Sequence, residues 1–248
     1  MASRTSPDIL IIGMSHVGVL ARAVDTDGLS HIRVVNLTRE PRLFTHPGGT
    51  TIRLKRFGRI APRAVVLCLF GNLHNTLSLI DRPVPFAAGS PDGAAPNTPD
   101  RDMVPTGVLR ATMQRLEIDR IEDLTQKIHA HWPGAQFLHM SPPAPIADEA
   151  HIRAHPGRLA DMLPQGIGHP ALRRRMFDIQ TELLQDLAAR HNALWLPPPS
   201  WTRNAAGLLK TEFAANDPTH ANAVYARIVL RQIDAALTAP ASQTQDAP

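Results

Sequence analysis

Five short runs of apolar residues divide the chain, each ending at a residue type that turns or caps. The first, DILIIG (8–13), is continuously hydrophobic between Pro7 and Gly13, the pattern of a strand buried on both faces of a parallel sheet. HIRVVNL (31–37), RAVVLCLF (63–70), QFLHM (136–140) and NALWLP (192–197) repeat it. The third of the five is the strongest, with its β-branched valines. Between the runs, apolar positions recur at helical spacing. SHVGVLARAV follows the first run and opens on Ser15, an N-cap residue type, and longer helical patterns cover 119–131 and 171–190. Strands alternating with helices predict a three-layer α/β/α sandwich around a central, mostly parallel five-stranded sheet of flavodoxin-like type.

Two stretches break the rhythm. Residues 81–107 are dense in Pro, Gly, Asp and Ala, and 141–170 are similarly loop-rich. Long connections of this kind serve as lids or substrate walls, or are plain insertions. Phe86, Met103 and Trp201 are candidate apolar walls. The expected organisation is one domain over 8–237 with lid-like loops at 81–107 and 141–170. The tail 238–248, poor in hydrophobics, is expected to be disordered.

Composition narrows the function classes. With 248 residues and 43% hydrophobics, the chain can bury a substantial core. A single cysteine, Cys68, lies in an apolar run. It suits buried filler better than a nucleophile, and its solitude fits a reducing compartment. No signal-peptide pattern opens the sequence and no stretch approaches the length of a membrane span, so a cytoplasmic protein is expected. The formal net charge is +4, with LRRRM (172–176) the one compact basic run, and aromatics are 4% of residues. LRRRM reads as a solvated helix face, and nucleic-acid binding is not expected.

Ligands of parallel α/β sheets bind beyond the carboxyl ends of the strands, so the polar residues standing there are the candidates. Gly13-Met14-Ser15-His16 follows the first strand, and Phe70-Gly71-Asn72-Leu73-His74-Asn75 follows the third. Asp217 and His220 stand before the closing helical pattern, where Asp217-Pro218 is itself a good helix start. A serine hydroxyl becomes nucleophilic when an imidazole takes its proton, and a carboxylate orients that imidazole. Ser15, His220 and Asp217 supply the set. The Ser15 N–H and the Asn72 amide are candidate oxyanion donors. His16, His74 and Asn75 are candidate substrate-binding residues, or simply helix caps and turn residues. GMSHVG lacks the second glycine of a dinucleotide fingerprint and the Lys-Ser/Thr of a phosphate loop. The histidine pairs 129/131 and 151/155 form no metal motif, so neither metal nor cofactor is expected.

These blocks resemble the SGNH/GDSL hydrolase superfamily. GMSH matches its GDS-type first block with Met14 for the usual Asp, FGN matches its G-x-N block with Phe70 for the first Gly, and DPTH matches its D-x-x-H. The second-block glycine has a candidate in Gly48 or Gly49 of HPGGT, which a plain turn explains as well. The resemblance implies an esterase on a small-molecule or glycan ester, working through an acyl-enzyme on Ser15. Asp217 and His220 would complete the catalytic set, with Ser15, Asn72 and Gly48 as oxyanion donors. An O-acyltransferase using the same site, or a binding module on the same fold, remains an alternative.

Overall fold

The five apolar runs form β1 (Ile9–Gly13), β2 (Ile32–Asn36), β3 (Ala64–Cys68), β4 (Gln136–Met140) and β5 (Leu194–Leu196). The structure is a computed structural model and describes residues 7–45, 51–82, 86–89 and 101–238. All neighbouring strands of this sheet are parallel, in the order β2-β1-β3-β4-β5. At its centre Ile11 lies opposite Val34 on one side and Val66 on the other. Every residue of β1 and of β3 is buried, as strands covered on both faces must be.

Helices α1 (Val17–Thr26), α2 (Leu73–Ser78), α3 (Thr106–Met113), α4 (Asp119–His131), α5 (Glu149–Ala154), α6 (Pro170–Arg190) and α7 (Ala223–Thr238) complete the chain. α1 packs against α7, while α6 gathers α2 and α3. The result is a three-layer α/β/α sandwich. The strand order reverses at β1: the chain steps outward to β2, then returns past β1 to β3. Right-handed connections therefore leave β1 and β3 toward opposite faces and open a crevice between their carboxyl ends.

Several local expectations are corrected. α1 starts at Val17 with His16 at its N-cap position and no side-chain cap bond, because the Ser15 hydroxyl points elsewhere. α7 starts at Ala223, not near Asp217. Its cap is Asn222, whose Oδ1 accepts from the Val224 and Tyr225 N–H groups. LRRRM is not a solvated face. Arg173 is fully buried, donating to the Gly168 and Ile146 carbonyls at 2.9 and 2.7 Å. Phe86–Ala88 pairs in parallel with Asp102–Val104, and residues 83–85 and 90–100 of the first lid-like loop lie outside the described residues. The second, 141–170, contains α5 and a 3-10 segment, Gly157–Gln165. The proposed tail beyond Thr238 lies outside the described residues. Among the described residues no helix is long and apolar enough to cross a membrane.

Candidate active site

Gly13 sets the geometry of the β1 edge. A Cβ there would lie 2.5 Å from Val17 Cγ1 and 2.6 Å from both Cys68 Cβ and the Cys68 carbonyl oxygen. Only a glycine lets the chain turn this closely against β3. The Met14 N–H donates to the Cys68 carbonyl (3.1 Å), and Ser15 follows in an exposed turn. Among the described residues, the Ser15 N–H has no hydrogen-bond partner.

Asp217 and His220 arrive on a bend before α7. Asp217 Oδ1 accepts the N–H groups of Thr219 (2.8 Å) and His220 (2.7 Å), folding the segment around its own carboxylate. The same oxygen lies 3.1 Å from His220 Nδ1, and His220 Nε2 lies 3.1 Å from Ser15 Oγ. Burial acts to raise the Asp217 pKa, but the bond from the His220 ring and the backbone N–H groups outweigh it, leaving it at about 2. An ionised Asp217 fixes the ring proton on Nδ1 and leaves Nε2 to accept from the serine hydroxyl. From the 141–170 loop, His151 Nε2 donates to the Ala215 carbonyl (2.8 Å) and braces this bend.

Asn72 follows β3. Its Oδ1 accepts from His16 Nε2 (2.9 Å), and its Nδ2 donates to Thr219 Oγ1 (3.2 Å). His16 is buried between the rings of Phe70 (5.4 Å) and His220 (4.6 Å). Burial first, then the neighbouring histidines, pushes its pKa down to about 3, so it is neutral. Phe70, a departure from the G-x-N block, thus walls the histidine that orients Asn72.

A buried network fixes the turn that carries Asn72. The Gly71 N–H donates to Glu117 Oε1 (2.6 Å), and Gln180 Nε2 donates to Glu117 Oε2. Gln180 Oε1 faces the His74 N–H (3.1 Å) and His74 Nδ1 (2.5 Å). Glu117 reaches inward from a π-helical turn, Gln114–Ile118, between α3 and α4. Burial raises its pKa against the lowering effect of those bonds.

Ser15 lies between two hollows of about 300 and 350 Å³. The first also holds His16, Asp217, His220 and Pro143, and the second Met14 and Gly71. His74 and Asn75 line neither. Both are buried, so their proposed contact with substrate is not supported. The three apolar walls are also misplaced. Phe86 lies in a separate small hollow with Arg101 and His169, Met103 is exposed, and Trp201 is exposed with its edge on Phe213. Gly48 and Gly49 lie outside the described residues. Cys68 is fully buried, and burial pushes its thiol pKa up. Thr219, Glu117 and Gln180 did not emerge from the sequence. Only Thr219, lying between Asp217 and His220, had a neighbourhood that could have flagged it.

No protein-family model matches the sequence, and no curated protein matches it. Solved structures resemble it over nearly its whole length. The periplasmic domain of a lipopolysaccharide acetyltransferase from Salmonella ser. Paratyphi A is similar at a TM-score of 0.52 and 14% identity, with 96% of this chain and 85% of that one covered. Phospholipase A1 from Streptomyces albidoflavus is similar at a TM-score of 0.51 and 10% identity, covering 93% and 99%. The fold is the SGNH/GDSL hydrolase fold.

Proposed function

We propose that the protein is a serine hydrolase cleaving a carboxylic ester through an acyl-enzyme on Ser15. The observation that carries this reading is the hydrogen-bonded chain from Ser15 Oγ through His220 to Asp217, each link 3.1 Å, at the carboxyl edge of the sheet. His220 Nε2 takes the serine proton as Oγ attacks the ester carbonyl. Asp217, ionised above about pH 2, stabilises the imidazolium that forms. The free Ser15 N–H and the second N–H of the Asn72 amide hold the oxyanion. His220 then returns its proton to the leaving alcohol, and water attacks the acyl-enzyme with His220 again as base. The bond to Ser15 Oγ breaks as His220 gives that proton back to the serine and the carboxylic acid departs.

An acceptor hydroxyl in place of water would make the same site an O-acyltransferase, a reading that the likeness to the Salmonella acetyltransferase domain favours. The substrate class is a small-molecule or glycan ester. No step above requires a cofactor. A lone buried thiol suits a cytoplasmic setting.

Hydrolysis of 4-nitrophenyl acetate by wild type, Ser15→Ala and His220→Ala tests the reading. Each substitution is expected to lower kcat by at least about 10³–10⁴. Turnover by folded Ser15→Ala at the wild-type rate would overturn it.

A further inference from the structure

The two hollows beside Ser15 differ in character. The second is walled by Met14, Phe44, Leu69, Leu73, Ile121 and Leu124, and its two charged residues, Glu117 and Arg120, are of opposite sign. The first, between α1 and the turn after β2, mixes apolar side chains such as Val19 and Met140 with polar ones, and carries Arg22 and Arg39 with Ser15 and His220. Its one acid is Asp217, already committed to His220. We propose that the part of the ester occupying this first hollow bears an ionised group, a carboxylate or phosphate held by Arg22 and Arg39, and that its other part is apolar. The inference rests on the serine-hydrolase reading of the same site.

Three observations support it. Arg22 lies on α1, seven positions after Ser15, and Arg39 ends the 3-10 turn Leu37–Arg39. That turn is built: Asn36 Oδ1 accepts from the Thr38 N–H (3.1 Å) and the Thr38 hydroxyl (2.6 Å), setting the arginine against the hollow. Second, among the described residues neither Arg22 nor Arg39 pairs with a carboxylate, and the hollow they line offers no acid besides Asp217. Two guanidinium groups at a pocket wall without a counter-ion attract an anion and can bind it through paired N–H donors.

Third, the charge of the chain is unevenly placed. Residues 31–60, which include Arg39, hold seven lysines and arginines and one acid, Glu40, while the rest of the chain holds 19 and 21. The net positive charge thus belongs to this one segment, where it raises the local concentration of an anionic substrate.

The test compares kcat/KM for a neutral ester, 4-acetoxybenzamide, with three anionic ones. These are 4-acetoxybenzoate and 4-acetoxyphenyl phosphate, charged on the alcohol side, and 4-nitrophenyl hydrogen glutarate, charged on the acyl side and paired with 4-nitrophenyl butyrate. Enzymes are wild type, the Arg22→Gln/Arg39→Gln double variant and the Arg22→Lys/Arg39→Lys variant. The anionic-to-neutral ratio is expected to fall at least tenfold in the Gln variant, mainly through KM, and to be partly restored in the Lys variant. Raising the salt from 50 to 500 mM should lower the ratio in wild type and in the Lys variant, and leave it unchanged in the Gln variant. Which probe shows the effect identifies the charged side and separates carboxylate from phosphate. A ratio unchanged in the Gln variant for all three anions, with neutral esters turned over, overturns the inference and leaves the hydrolase standing. Failure of wild type to turn over any ester removes both.

Discussion

Single side chains at this site hold each other in place more than they face solvent. His16 orients the Asn72 carbonyl, Thr219 receives the Asn72 amide, and the Thr219 hydroxyl also lies 3.2 Å from His220 Nδ1. Asn72, the proposed oxyanion donor, and His220, the proposed general base, are therefore linked through one hydroxyl. Asn72→Ala should lower kcat by about 10²–10³. Thr219→Val should lower it by about tenfold, the worth of one neutral hydrogen bond, and Thr219→Ser should restore it. Steady-state kinetics on 4-nitrophenyl acetate would decide, and unchanged kcat in Thr219→Val would break the proposed link. Ser15, Asn72, Asp217 and His220 could be picked out beforehand because each stands at a strand end or in a short spaced block. Glu117 and Gln180 could not, because their partners are distant in sequence and nothing local marks them; Thr219 had only its place between Asp217 and His220 to mark it. The expected Ser15 cap failed because a serine beside a helix start can spend its oxygen on the helix or on a histidine, and sequence does not say which.

At the level of elements, strands were legible because β1 and β3 are buried on both faces and leave uninterrupted apolar runs. Helix boundaries were less so. The final helix was expected to start near Asp217-Pro218, but Asn222 caps it, because the Asp217 side chain is used to fold its own bend. Within α6, LRRRM hides three environments. Arg174 pairs with Asp178 and Arg175 with Glu182, while Arg173 is buried and staples the 141–170 loop through two backbone carbonyls. Arg173→Leu strands both carbonyls and should cost about 2–4 kcal/mol in urea unfolding. Arg174→Ala, which breaks a half-exposed pair, should cost about 0–1 kcal/mol. Equal effects of the two would contradict the staple. Charge sign alone could not separate these neighbours, because burial is decided by what the helix packs on.

For the molecule as a whole, histidines held neutral by full or partial burial make stability depend on pH. Burial is the leading cause in each case, lowering His16 and His139 to about 3 and His74 and His129 to about 4, from an ordinary 6.5. Between pH 6.5 and 4 the unfolded chain takes up protons that the native state refuses, so stability falls as pH falls through that window. Asp217 adds the same sign lower down, between its ordinary 3.8 and about 2. Tm should therefore drop steadily from pH 7 to pH 4, and a flat profile would show that these rings are not buried neutral. The three-layer fold followed from the alternation of strand and helix patterns. That Ser15 and Asn72 stand at the carboxyl edge followed from it too; the reversal of strand order at β1, which brings them to one place, did not. Of the two loops expected to wall that crevice, 141–170 contributes Pro143 to the first hollow, while no described residue of 81–107 lines either one; loop positions depend on contacts that carry no periodic signal.

The central claim is that Ser15 is a nucleophile activated by His220. Labelling of the folded protein with a fluorophosphonate, mapped by mass spectrometry, tests it most directly. One adduct on Ser15 is expected, abolished in Ser15→Ala and strongly slowed in His220→Ala. A folded wild-type protein that takes no label, or takes it elsewhere than on Ser15, would contradict it.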